Sequence, residues 1–520
     1  MSTTIFHYSL LILIVISLTS CATAPPNDSR TASYALPKAE TSSSSLTRHI
    51  RKESAPHDLS GKSGARLLVN GTSAFVARML LVEQAQKSLD LQYYIWNADL
   101  SGRLLTHQLL KAADRGVRVR VLLDDMVFAG RDANASLLGQ HPNIELRIYN
   151  PFSRKSSRLW QMATRMKTIT RRMHNKTFTA DGSISILGGR NIGDEYFNAN
   201  HDLDYGDLDV MVIGPVVEKV ENSFDRYWNS QLAYPISTLH PQTPNQTQTT
   251  QLRSQLASLI KLPEAKRYRV ALENSQLASD LRNKNLKFEW TQARIVVDAP
   301  EKTTSPRSAK ELHLTTQLKP YFDHTQKELI LISPYFVPTK KGTAFLCKLS
   351  QQGTRVRILT NSLASTDVAP VHAGYRKYRK ALLAAGIELY EVNDTTQAPE
   401  KGGANWLGEV SKSSLHAKSF IFDRQQIFIG SYNFDPRSAI ENTEIGIILD
   451  SPIISSKLAI LFEQQLERGS YRLELSNGKL LWHQVEKNGN IKTYHKDPHT
   501  TFFQRLAPRL MGLLPIEWLL

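Results

Sequence analysis

Met173-His174-Asn175-Lys176-Thr177-Phe178-Thr179-Ala180-Asp181, followed by Gly188-Gly189-Arg190-Asn191, is the stretch on which the fold turns. It returns 242 residues further on as His416-Ala417-Lys418, with Asp423 and Gly430-Ser431-Tyr432-Asn433 at the same internal offsets. In an extended strand residues two apart share a side, so each copy sends an imidazole and an ammonium into one space. Asp181-Gly182 is a tight-turn dipeptide and Ser183 to Leu187 alternates as a return strand, which predicts a hairpin with Asp181, and likewise Asp423, near its corner. Both acids are counted with His174, Lys176, His416 and Lys418 as catalytic candidates, although the turn argues for a scaffold role.

Upstream, Leu89 to Trp96 alternates as a strand, and Phe75, Val76, Met79, Leu80 and Val82 fall at helical spacing before it. A second helix, Gly102 to Arg115, ends at Gly116 and feeds the strand Val117 to Leu123. The same order recurs as Leu329 to Phe336, a helix to Gln352, and Thr354 to Leu359. Asn143 to Ile148 pairs likewise with Gly386 to Glu391. These offsets are 240, 237 and 243 residues, so the whole domain is duplicated and not the motif alone. The fold expected is α/β: two tandem domains, each a mixed sheet flanked by helices, related by a pseudo-twofold axis with the active site at their interface.

The domains expected are residues 62–240 and 311–470, joined by a linker or insertion over 241–310. Residues 471–520 form a β-meander, signalled by Asn477-Gly478 and Asn488-Gly489, and an apolar tail. That tail, with Trp518 and Arg505, suits either a bilayer interface or packing back on the domain. Residues 5–18 are an apolar run too short to span a bilayer comfortably, and they fit a signal-peptide core within residues 1–20. Leu18-Thr19-Ser20-Cys21 resembles a bacterial lipobox, which makes Cys21 the lipidation site. Residues 21–61, rich in Ser, Thr and Pro, read as a disordered tether.

The chain has 520 residues, 41% of them hydrophobic, and a mean hydropathy of -0.32, which excludes a polytopic membrane protein. A formal net charge of +16 points to an anionic partner: phospholipid headgroups, nucleic acid or another phosphate-bearing surface. Cys21 and Cys347 are the only cysteines, and they do not form a disulfide framework. Cys347 reads as an inert thiol on a buried helix face.

Two imidazoles, two ammoniums, Asn191, Asn433 and Ser431 suit a phosphodiester. The lysines, amides and hydroxyl can surround the non-bridging oxygens while charge builds up on them. One imidazole must attack phosphorus while neutral; the other must be protonated to release the leaving alkoxide. Zinc fits poorly, because lysine does not ligate it at neutral pH and no Cys or carboxylate completes a set at usable spacing. Asp209 and Glu444, acids in apolar strands, are the expected histidine-orienting groups, since a buried carboxylate needs a partner.

The doubled His-x-Lys-x4-Asp-x6-Gly-[Gly/Ser]-x-Asn resembles the phospholipase D superfamily. Leu89 to Asp125, Arg171 to Phe197, Ile213 to Glu218, His416 to Ser438 and Leu514 to Leu520 are similar to the bacterial cardiolipin synthases of the C type. The resemblance implies two phospholipase D-like domains with no metal and no cofactor. It implies His174 as the nucleophile that forms a phosphohistidine and His416 as general acid, then base. Lys176, Lys418, Asn191 and Asn433 would hold the phosphate, with Glu444 orienting His174 and Asp209 orienting His416. Gly189 stands where the fuller motif has serine, so only Ser431 offers a hydroxyl.

The reaction this implies is transfer of a phosphatidyl group to phosphatidylglycerol, with hydrolysis of phospholipid or nucleic acid by the same mechanism as the alternative. The partners expected are glycerophospholipids, phosphatidylglycerol and phosphatidylethanolamine among them, and an anionic membrane surface, with no nucleic acid. Both half-sites lie in one chain, which fits a monomer. The place expected is the bacterial envelope, lipid-anchored and facing the periplasm. Arg154, Lys155, Arg158, Arg165, Lys167, Arg171 and Arg172, interleaved with Trp160, Met162 and Met166 and free of acids, read as the segment that meets the membrane.

Overall fold

The computed structural model describes residues 26–28, 30–128, 130–198, 204–241, 245–283, 285–393, 413–486, 488–512 and 517. Residues 1–20, expected as a signal peptide, and Cys21 lie outside them. The first half supplies strands β1 (Ser63–Leu68), β2 (Ser88–Tyr93), β3 (Arg118–Asp124), β4 (Ile144–Tyr149), β5 (Thr177–Ala180), β6 (Ile184–Gly188), β7 (Asp204–Gly206), β8 (Asp209–Ile213) and β9 (Ala233–Pro235). β10 (Glu289–Thr291) and β11 (Ala293–Val297) lie at the crossing between halves. The second half supplies β12 (Glu328–Ile332), β13 (Arg355–Asn361), β14 (Glu388–Val392), β15 (Ser413–Leu415), β16 (Ser419–Phe422), β17 (Gln426–Gly430) and β18 (Ile445–Leu449). β19 (Ser470–Ser476), β20 (Lys479–Val485) and β21 (Ile491–Tyr494) complete it.

The first sheet runs β10-β1-β8-β6-β5-β2-β3-β4-β9 and the second β11-β18-β17-β16-β12-β13-β14-β19-β20-β21. Strand for strand, the eight from β1 to β9 in the first order match the eight from β11 to β19 in the second. β2, β3 and β4 are parallel, as are β12, β13 and β14, while the hairpins β5-β6 and β16-β17 run antiparallel beside them. These are the two mixed-sheet α/β domains that the duplicated sequence predicts.

Continuous apolar strands such as Glu-Leu-Ile-Leu-Ile in β12 need cover on both faces. Outer faces are covered by helices, Gly71–Gln84 and Leu100–Asp114 on the first sheet and Thr339–Gln351 on the second. The inner faces cover each other: Leu187, Val210 and Val212 share one buried cluster with Ile330, Ile421, Ile429 and Ile447. That shared core fixes the two motif hairpins relative to one another.

Outside the two domains, three segments take definite form, the last of them the expected meander. Within residues 21–61, taken as a disordered tether, a helix spans Ser45–Ser54, with Ser44 as its N-cap. Leu46 and Ile50 are buried against the first domain, so the Ser/Thr composition marks a cap and a docked amphipathic turn. The stretch 241–310, expected as a linker or insertion, is a folded insertion: helices Gln246–Ser258, Lys266–Asn274 and Gln276–Arg282 cover the first domain, and β10 and β11 add edge strands to the two sheets in turn. Residues 470–494 extend the second sheet through β14 and β19, turning at Asn477-Gly478 with φ of 48° and 72°. Cys347 is half-buried rather than fully enclosed. Among the described residues no helix is long and apolar enough to cross a membrane.

Candidate active site

Each motif histidine is held by the opposite half. The His174 amide donates to Thr443 O at 2.9 Å, beside a parallel bridge between Met173 and Thr443. In the mirror arrangement β15 pairs in parallel with β7, and the His416 amide donates to Gly206 O at 2.8 Å. The side chains cross the same way. His174 Nδ1 lies 2.8 Å from Glu444 Oε2, and His416 Nδ1 lies 2.5 Å from Asp207 Oδ2. Among the described residues nothing bonds His174 Nε2. Tyr94 meets His174 edge-on at 5.0 Å and Tyr196 meets His416 at 5.2 Å between ring centroids.

Asp207 takes the place expected for Asp209. Residues 207 and 209 share a side by the period of two, and Asp209 is occupied elsewhere. Its Oδ2 accepts from Arg78 of the helix Gly71–Gln84 at 2.9 Å and has Arg190 at 3.5 Å. Ladder register exposes the equivalence, for Gly188 stands opposite Asp209 and Gly430 opposite Gly446. The counterpart of Glu444 is therefore two residues before Asp209.

Lys176 and Lys418 are buried. Lys176 Nζ donates to His174 O at 2.6 Å, and Lys418 Nζ donates to His416 O and lies 2.8 Å from His416 Nδ1. Burial, then Lys176 and Lys418, lowers the His174 pKa well below its ordinary value. Burial and Lys418 push His416 down to about 4, so both imidazoles are neutral when no anion is present. Burial lowers Lys176 strongly and brings Lys418 down to about 8. The carboxylates diverge: burial pushes Glu444 up to about 7, whereas His416 and Lys418 outweigh burial at Asp207 and hold it well below the usual range. His416 thus faces an ionised acid, and His174 one that titrates around neutral pH. Opposed environments of this kind separate acid from nucleophile.

The remaining candidates divide. Asn191 Oδ1 accepts from the Ile95 amide at 3.1 Å, and its Nδ2 donates to Tyr196 Oη at 3.0 Å. Asn433 is buried beside Ser438, and its Oδ1 has no partner among the described residues. Ser431 is not placed as a phosphate ligand: its hydroxyl donates to Glu444 Oε2 at 2.5 Å and accepts from the Ile445 amide at 3.0 Å, behind the carboxylate. Asp181 and Asp423, counted as catalytic candidates, stay out of the reacting space. Asp181, at φ 49°, accepts from the amides of Gln86, Lys87 and Ser88; Asp423, at φ 54°, accepts from those of Gln326, Lys327 and Glu328. Each ties its hairpin corner to the start of the neighbouring strand.

Sequence reasoning missed Asp207, and it missed Asp298 and Lys302 because they lie in the stretch taken as a linker or insertion. Asp298 Oδ2 accepts from the Glu444 amide at 2.8 Å while Lys302 Nζ sits 3.0 Å from Oδ1. The basic run is also partly structural. Arg154 bridges Asp125 and Asp132, Arg171 pairs with Glu441, and Arg172 is buried on Asp124. Lys155 and Lys167 remain exposed, as do Leu159, Trp160 and Met166 on the helix Arg158–Ile169. No three His, Cys, Asp or Glu side chains among the described residues come together as a metal set.

Two facing His-x-Lys hairpins, each histidine backed by a carboxylate from the other domain, define a phosphodiester-transferring enzyme of the phospholipase D type. A family model described as "Cardiolipin synthase, PLD-like domain" matches residues 80–228 and 318–466. Cardiolipin synthase C of Escherichia coli is 40% identical over 469 residues, spanning 88% of this chain and 97% of that protein. An uncharacterized protein of Helicobacter pylori is 33% identical over 87% of this chain and 89% of its own. Among solved structures, the phosphatidylserine synthase of Haemophilus influenzae shares the fold at a TM-score of 0.54 and 14% identity, over 81% of this chain and 91% of that one. The chain belongs to the cardiolipin synthase family of the phospholipase D superfamily, and with it to the phosphatidyltransferases.

Proposed function

We propose that the chain makes cardiolipin by transferring a phosphatidyl group to a glycerol hydroxyl of phosphatidylglycerol through a phosphohistidine on His174. The observation that carries this is the unequal pair of crossed contacts, His174 with Glu444 and His416 with Asp207. His174 Nδ1–H donates to Glu444 in its ionised form, which leaves the Nε2 lone pair to attack phosphorus. A P–N bond forms, the bond to the donor's headgroup oxygen breaks, and His416 gives that oxygen its proton. His416 acquires the proton as the anionic phosphate enters, because a negative charge beside it opposes the lysines that hold its pKa down. In the second half His416 takes a proton from the acceptor hydroxyl, which attacks phosphorus as the P–N bond breaks.

Purified protein given labelled phosphatidylglycerol, with and without phosphatidylethanolamine, should yield cardiolipin; phosphatidic acid alone would replace transfer by hydrolysis. His174→Ala should form no covalent phospho-enzyme, and His416→Ala should form one from an activated donor and keep it. We also propose a periplasm-facing place in the bacterial envelope, with the thiol of Cys21 lipidated. The helix Arg158–Ile169 would lie on the bilayer surface, and its exposed Leu159, Trp160 and Lys167 support this reading. A Cys21→Ser protein that still sediments with membranes would assign the anchoring to that helix.

A further inference from the structure

On the outer side of the first sheet, against β3 and β4, lies a cavity of about 440 Å³ that the phosphoryl chemistry does not use. Its floor is the outer face of the first sheet, Val119, Val121, Leu123 and Leu146. Its walls are Leu109 of the helix Leu100–Asp114 and Leu256 of the helix Gln246–Ser258. That last helix comes from the inserted stretch and is clamped over the cavity by a bidentate pair of Arg253 and Asp114 at 2.8 and 3.0 Å. One wall is Trp96 to Ala98, starting two residues beyond Tyr94, whose ring meets His174. Phe128, four residues past the Asp124 that holds Met173, closes the same end.

The rim is polar and cationic. Arg103, Asn134 and Gln255, from three different helices, are exposed there. Arg131 is already tied to Trp96 O and Asn97 Oδ1, while Arg103 makes no side-chain hydrogen bond or ion pair among the described residues. No carboxylate lines the cavity. Apolar walls of this kind exclude water and forfeit packing while they stand empty, and the volume falls in the range of small-molecule sites.

We propose that this cavity is an acyl-chain site. It takes one hydrocarbon chain of an amphiphile whose anionic head rests at Arg103. The proposal rests on the reading of the active site as one that works on glycerophospholipids. The same chemistry has two sources: a chain of the lipid being transferred, or a separate lipid that occupies the cavity and supports the neighbouring site.

The test uses the full-length purified protein freed of co-purified lipid, with octanoyl, dodecanoyl and hexadecanoyl lysophosphatidylglycerol as probes in equilibrium dialysis and thermal melts. Affinity should climb by about fourfold for each methylene that enters the cavity, and Tm should rise with bound lipid. Leu256→Trp fills the cavity and should weaken the hexadecanoyl probe by roughly tenfold or more, the equivalent of about two methylenes left outside. Arg103→Glu alters only an exposed side chain, so it leaves the fold intact; it should weaken the anionic probe and leave a neutral monoacylglycerol unchanged.

Binding that ignores chain length, or a folded Leu256→Trp protein that binds as the wild type does, overturns the proposal. If Leu256→Trp raises KM for long-chain substrates and not for short ones, the occupant is the substrate's own chain; if binding is lost at unchanged KM, it is a separate lipid. Probe binding without any cardiolipin formed would sink the proposed function and leave the site standing.

Discussion

Gly189 shows how closely a single position sets the active site. A Cβ there would stand 2.1 Å from Asp207 Oδ1, whereas the corresponding Ser431 has room because it hydrogen-bonds the longer Glu444 from behind. Glycine in the first copy is therefore space for the aspartate and not a missing hydroxyl. Gly189→Ala should push Asp207 away from His416 and slow the step that clears the proposed phospho-enzyme, so that rapid-quench experiments find the intermediate accumulating. Asp207→Asn should lower kcat on the order of 10²–10⁴-fold with the fold intact, as loss of a histidine's orienting acid does in a hydrolase triad. Asp209→Asn should instead cost about 3–5 kcal/mol of stability, because it strands the buried Arg78, and urea titration separates the two.

Those two aspartates also mark where the sequence ceased to be legible. The histidines, lysines and Glu444 were readable because strand alternation is local and the motif is repeated. Asp207 and Asp209 satisfy that local rule equally. What distinguishes them is Arg78, which reaches Asp209 from 131 positions away, and no pattern of spacing carries that contact.

The lysines give a prediction in pH. Lys418 has its pKa lowered to about 8 from an ordinary value of 10.5, so the empty site sheds this charge as pH rises through about 8. A bound anion raises the pKa again and draws a proton in. Sulfate, which does not titrate in this range, should bind more weakly above pH 8, and calorimetry in buffers of different ionisation heat should register proton uptake. Affinity flat across that range would mean that Lys418 does not face the anion.

At the scale of elements, the hairpins β5-β6 and β16-β17 keep their place through Asp181 and Asp423. Three amides at the start of β2, with Ser44 Oγ at 2.5 Å, converge on Asp181. A charged hydrogen bond contributes about 1.5–3 kcal/mol, so Asp181→Asn should lower stability by a few of those units while kcat per folded molecule holds. Turn chemistry made the hairpin corners visible in the sequence. The helix Ser45–Ser54 was hidden because its stabilising partners, Asp181 and Gln86, lie far along the chain.

Over the whole molecule, the two sheets are one body held by an apolar seam in which Val212 and Ile447 take part. Residues 26–291 and 293–520, divided at Gln292 between β10 and β11, should each be inactive and sticky alone. Produced together they should co-purify and regain transfer activity, since the seam is a hydrophobic core cut in half. The duplicated strand order was legible from three repeated offsets. The face-to-face seam was not, because buried strands read alike whichever surface covers them.

The crossed histidine contacts also bear on how the enzyme is made. His174 is complete in the chain long before Glu444 has been synthesised, and until Thr443 and Glu444 are in place its imidazole lacks the orienting acid and its backbone amide lacks its acceptor. A ribosome carrying the first domain, or a fragment left by premature termination, therefore holds a disarmed catalyst. The transferase site is switched on only by completion of the second fold.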